Sequence, residues 1–98
     1  MKVFISQYMG CRSTEEIIKE RQPVEKMLRD KGYEVINSII QEEPPEDTVN
    51  VGVWYITKSL EKLSQADVIY FMKGWQQGRG CIIERQIAEQ YGMDILEQ

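Results

Sequence analysis

Five consecutive apolar or aromatic residues, Val68 to Met72, stand between Ser64-Gln65 and a stretch that carries Gly74, Gly78 and Gly80. A run this short, closed by turn formers, reads as a strand buried on both faces, and such strands belong to parallel sheets. Beyond the glycines, Ile83, Ile87 and Tyr91 recur every fourth residue, which is the period of an amphipathic helix. The unit is strand, glycine-bearing loop, helix. Glu84 falls in the first turn or so of that helix, where free N–H groups and the helix dipole favour a negative charge. A carboxylate held ionised beside a flexible, concave loop suits a nucleophile or a sugar ligand. The competing reading is a surface charge favoured only by the dipole.

The rest of the chain repeats the alternation. Lys2–Tyr8, with Val3, Phe4 and Ile5, reads as the first strand, followed by a loop that contains Gly10. Ser13 and Glu16 form a capping box that starts a helix at about Thr14. Its apolar face is Ile17, Val24, Met27 and Leu28; Pro23 should kink or split it, and Gly32 ends it. Tyr33–Asn37 is a short second strand. Residues 38–50, with Pro44-Pro45 among Glu42, Glu43, Glu46 and Asp47, are an acidic loop. Val53, Ile56, Leu60 and Leu63 predict a helix over Val51–Ser64, whose Trp54 and Tyr55 either pack in the core, the commoner role of helix aromatics, or face the ligand. Gly92 caps the third helix, and Met93–Leu96 is the last strand.

The order β-α-β-α-β-α-β predicts an α/β three-layer sandwich of the Rossmann or flavodoxin type. Its four parallel strands would lie in the order 2-1-3-4 with right-handed crossovers. Ligands of such sheets bind beyond the carboxyl ends of the strands, where the order reverses. Here that point lies between strands 1 and 3, so the loops over residues 7–12 and 73–79 should form the site.

Composition removes most alternatives. Ninety-eight residues make one domain, 1–98, which hides roughly 65% of its unfolded surface. A net charge of −4, with no basic stripe, argues against nucleic acid or an anionic membrane as partner. No apolar stretch approaches a membrane span, and the first ten residues lack the features of a signal peptide. Cys11 and Cys81 form neither a disulfide framework nor a zinc motif, so a reducing cytoplasm is the expected location. Both cysteines should lie near the crevice; two reduced, unreactive thiols are the favoured reading, and a reactive Cys81 at the start of a helix is the alternative. The chain has no histidine, which excludes Ser-His-Asp and Cys-His catalysis and HExxH zinc sites. Acid–base work falls to Asp, Glu, Tyr or Lys, and neither a cofactor nor a metal is expected.

Several segments together carry a resemblance: KVFIS in the first strand, KGYEVIN in the second, L-x-x-A-D-V-I-Y in the third, then G-W-x-x-x-R-G-x-x-x-E and A-x-x-Y-G. In this order and spacing the chain resembles the nucleoside 2-deoxyribosyltransferase-like superfamily, in particular its small branch common in phage and prophage genomes. The resemblance implies that Glu84 attacks the anomeric carbon of a (deoxy)ribosyl group. The base leaves, and a second base or water resolves the glycosyl-enzyme, as in retaining glycosidases. It also implies that Tyr8 orients Glu84, and that Asp67 is either a catalytic aspartate or a structural cap on loop amides. Ser6, Gln7 and Gly10 on one loop and Trp75, Gly78, Arg79 and Gly80 on the other are the candidate substrate contacts. Trp75 would stack on a base or cap the sheet, and Arg79 would bind a 5′-phosphate or stay solvated.

The departures are specific. Many relatives have glycine-proline where this chain has Gln7-Tyr8. Gly78 replaces a frequent serine or aspartate, and Ser59 a frequent helix aspartate. KVFIS is also similar to the first strand of TIR domains, which adds NAD-like substrates to the nucleosides and nucleotides. Two functions follow: an enzyme that cleaves or transfers N-glycosidic bonds, or a non-catalytic nucleotide-binding or interaction module on the same fold. Gly78, Ser59 and the end of the sequence at the last strand favour the second; the resemblance as a whole favours the first, which is the reading taken. The helix count adds an assembly expectation. The first helix covers one face of the sheet, and no further helix would shield strands 3 and 4 on that side. The bare face predicts a homodimer or higher homo-oligomer.

Overall fold

The computed structural model describes Met1–Gln98. Its elements are β1 (Lys2–Ser6), α1 (Thr14–Asp30), β2 (Glu34–Val35), α2 (Val51–Leu63), β3 (Val68–Phe71), α3 (Arg79–Gln90) and β4 (Asp94–Glu97), with one 3-10 turn at Trp75–Gln77. The four strands form one all-parallel sheet in the order β2-β1-β3-β4, a small Rossmann-like sandwich. Register is fixed in the centre by Val3 opposite Val68 and Ser6 opposite Phe71. No helix is long and apolar enough to cross a membrane.

Strand alternation divides the core into two clusters. Val3, Ile5, Val68, Tyr70 and Met72 face α1 and pack on Val24 and Leu28. Phe4, Ile69 and Phe71 face the other way, against Leu63 of α2 and Ala88 of α3. The side of β3 expected to lie bare is covered: Val68, Tyr70 and Met72 are only 2%, 5% and 2% exposed in the single chain. α1 alone shields both central strands there, with Met27, Tyr33 and Leu96 packed at the margin. The uncovered-face argument for assembly therefore falls away.

Three local expectations are corrected. Pro23 does not split α1, which runs unbroken for 17 residues. Pro23 is on the exposed side of the helix, while Val24 and Leu28 dock on the sheet, so the carbonyl that loses its N–H donor faces water. The second strand is two residues long rather than five. The edge nevertheless continues through Ile36 N–H to the Val3 carbonyl at 3.0 Å. The last strand is shifted one residue along, to Asp94–Glu97. Two sequence signals act as read: the Ser13 hydroxyl accepts from Glu16 N–H at 3.2 Å, and Gly32 ends α1 at φ 94°. Residues 38–50 contain no helix or strand.

Candidate active site

The carboxyl end of β1 opens into a cavity of about 660 Å³, bounded by the start of α3 but by no residue of β3, and within the range of small-molecule sites. Its walls are largely aliphatic, from Ile17 of α1, Ile39 and Ile40 of the acidic loop, Val53 and Ile56 of α2, and Ile83 of α3. Arg79 and Glu84 are the only charged residues lining it. A smaller hollow of about 440 Å³ lies elsewhere, among Lys2, Glu34, Lys58 and Lys62, with a single apolar residue in its wall. No cluster of three or more His, Cys, Asp or Glu is positioned to hold a metal ion.

Glu84 is the sixth residue of α3, not a first-turn residue, and only 5% of its surface is exposed. It is neither a surface charge nor a carboxylate held by free helix N–H groups. Its oxygens are instead met by two hydroxyls. Ser6, at the tip of β1, donates to Oε1 at 2.7 Å, and Ser59 of α2 donates to Oε2 at 2.5 Å. Burial pushes the carboxyl above the usual range; the Ser59 and Ser6 hydroxyls and the Arg21 charge pull it back without cancelling that effect. Ser59 was the position where a polar contact looked lost. It has become a donor to the carboxylate, where an aspartate would have been a second negative charge.

Family comparison agrees in extent with this architecture, because the model for "Domain of unknown function (DUF4406)" matches residues 1–97, from β1 through β4. The chain belongs to the DUF4406 family. No curated protein and no solved structure matches it.

Around Glu84, this DUF4406 domain brings some of the expected residues together and leaves others out. Gln7, Tyr8, Gly10, Gly78, Arg79 and Gly80 all line the cavity. Tyr8 makes no hydrogen bond to Glu84. Its ring lies against two glycines: a Cβ on Gly10 would fall 2.2 Å from the Tyr8 hydroxyl, and one on Gly78 would fall 3.2 Å from its ring. A side chain at either position would push the Tyr8 ring aside, by more at Gly10 than at Gly78. Gln7 is buried and turned inward, donating to the Ile17 carbonyl at 3.1 Å and to Glu20 at 3.0 Å. Ser6 is spent on Glu84.

Asp67 is not brought to the cluster. It precedes β3 at the amino end of the sheet and accepts the Lys2 backbone N–H at 2.8 Å, which is the structural role left open above. Trp75 also turns away. It packs on Phe71 with ring centroids 5.0 Å apart, and the Arg85 guanidinium lies 4.9 Å from its ring. Of the two alternatives for Tyr55 the favoured one, the core, is corrected: it is exposed and lines the cavity, edge-on to Trp54 at 5.0 Å. Cys81 lines the cavity as predicted, but burial pushes its thiol up, the reverse of activation at a helix start. Cys11 is exposed at φ 52°.

The residue that sequence reasoning missed is Arg21. It occupies the gap in the α1 stripe Ile17-Val24-Leu28 at helical spacing, and only 1% of its surface is exposed. A cation inside an otherwise apolar stripe was the available signal. Ser38, beyond the edge strand, was read as plain loop; it is buried, and its hydroxyl bonds the Ile5 carbonyl at 3.0 Å.

Proposed function

We propose that this DUF4406 domain cleaves or transfers an N-glycosidic bond of a nucleoside or nucleotide, with Glu84 as nucleophile. The observation that carries the reading is a single buried carboxylate, gripped on both oxygens, in the wall of a nucleoside-sized pocket at the switch point of the sheet. The chemistry needs little else. A Glu84 oxygen bonds to the anomeric carbon as the C–N bond breaks, and the base leaves with the electron pair. Water or a second base then attacks the same carbon, returns the pair to the carboxylate and gives up its proton to the departed base. Oε2 is the reacting oxygen in this scheme, because its partner Ser59 lines the cavity while Ser6 is buried beneath. The aliphatic walls suit the faces of a base and sugar. Arg79 is the one cation available to a phosphate. The likeness to the nucleoside 2-deoxyribosyltransferase-like superfamily is part of the same proposal.

Glu84→Gln keeps the size of the side chain and removes its nucleophilicity. It is expected to lower base release by about 10³-fold or more while ligand affinity stays close to wild type. Base release would be followed by chromatography over a panel of nucleosides, deoxynucleotides and NAD. Wild-type turnover in the variant removes Glu84 from the mechanism. The second reading, a binding module, is favoured by the two serines, since a gripped carboxylate also serves a non-catalytic pocket. Thermal stabilisation by a ligand without turnover of any panel member selects it.

For a partner we place a second copy of the chain on the apolar rim of the pocket, where Val53, Tyr55 and Ile83 are exposed. Light scattering at micromolar concentration that returns 11.5 kDa removes this part.

A further inference from the structure

Arg21 has no ion-pair partner. None of the salt bridges of the chain includes it. Its Nε donates to Gln7 Oε1 at 3.0 Å, one terminal nitrogen to the Ser38 hydroxyl at 2.8 Å, and the other to the Ile5 carbonyl at 3.4 Å. All three acceptors are neutral. A guanidinium keeps its charge in proteins, and a fully buried charge without an opposite one is costly.

Besides Glu25 on its own helix, the opposite charge acting on Arg21 is Glu84, across the tip of β1. Ile5, Ser6 and Gln7 are consecutive: Ile5 and Gln7 hold the arginine, and Ser6 holds Glu84. Ile5 belongs to the face covered by α1, whereas Glu84 comes from α3 on the other face. Glu84 likewise meets only hydroxyls. One cation and one anion, each solvated by neutral dipoles, therefore flank the end of one strand in a medium that screens them weakly. The same cation fixes the pocket itself, because Gln7 and Ser38 both line the cavity that Arg21 does not touch.

We propose that Arg21 is a positioning residue of this pocket: it seats Gln7 and Ser38 in the wall and keeps the Glu84 carboxylate charged for its task. The inference rests on Glu84 being the reactive group, and it adds a residue that acts only through others. Every other group facing Glu84 is accounted for. Ser6 from β1 and Ser59 from α2 are hydroxyls, Cys81 on its own helix is a thiol made more basic by burial, and Arg79 is at the cavity wall. Around Arg21, Glu25 contributes from its own helix, and Glu20 reaches it only through Gln7.

The test reads the carboxyl directly, without turnover. In the full-length, ¹³C- and ¹⁵N-labelled chain, the Glu84 carboxyl carbon is titrated by NMR in wild type and in Arg21→Met. An upward shift of the Glu84 midpoint in the variant is expected, with the backbone amides of residues 38–40 exchanging faster. An unchanged midpoint in a folded variant overturns the proposal. Should Arg21→Met fail to fold, wild type and Glu84→Gln suffice. The Arg21 Nε resonance should follow the Glu84 titration in wild type and lose that step in Glu84→Gln. A flat Arg21 resonance in wild type overturns the proposal as well. A positive titration result together with no base release on any substrate sinks the glycosidic reading while leaving the coupling in place.

Discussion

A hydroxyl that donates to a carboxylate stabilises the charged form, so each serine on Glu84 tunes when the group can act as a base or nucleophile. Ser59→Ala removes the donor to Oε2. The expected outcome is a further rise of the Glu84 carboxyl, seen as a shift of the acid limb of the kcat/KM pH profile to higher pH. Fold and ligand affinity change little. An acid limb that does not move would show that Ser59 has no influence on ionisation. The two cysteines offer a second check at this scale. Burial raises the Cys81 thiol while Cys11 stands exposed, so iodoacetamide should modify Cys11 first and Cys81 only slowly. Rapid loss of Cys81 in the folded protein would contradict the packing described for it.

At the scale of elements, the β-α alternation was legible because strands here are short apolar runs and helices are marked by period and caps. Val68–Met72, the Ser13 cap and Gly32 each sit where local chemistry placed them. Edge strands were read less well, because β2 and β4 end where pairing with a neighbour ends, and pairing is not a property of the segment alone. The site divides in the same way. Topology carries Gln7–Gly10, Gly78 and Arg79 to the cavity, whereas residues 73–77 of the second loop stay off it. Arg21, Ser38 and the grip of Ser59 arise from side chains 14 or more residues apart in sequence, and no local pattern brings them together. Pro23 is a place where local preference and fold conflict. A proline inside a helix costs about 3 kcal/mol relative to alanine, and its stiffening of the unfolded chain returns up to about 1 kcal/mol. Pro23→Ala should therefore raise stability by about 2 kcal/mol, visible as a Tm increase of roughly 10 °C in a domain of this size. A lowered Tm would mean that Pro23 is favoured by a contact other than its helix.

For the molecule as a whole, the buried carboxyl makes folding depend on pH. Below the unfolded-state value near 4.5, Glu84 is protonated in both states and burial exacts no penalty on charge. As pH rises through the higher folded-state value, the unfolded chain ionises more readily than the folded one, and stability falls until both are charged. Glu84→Gln has no such dependence. Its Tm should exceed that of wild type at pH 7 to 8, and the gap should narrow as pH approaches 4.5. A gap that is constant with pH would place the ionisation of Glu84 outside the stability balance. The polarity of the sheet has a practical side as well. Met1 leads into β1 at the end held by Asp67, whereas Gln98 bonds the Phe71 carbonyl and the Lys73 amide beside the carboxyl ends of the strands. A purification tag or surface tether fused ahead of Met1 leaves the chain at the end remote from the pocket, so immobilised ligand screens are best built from that terminus.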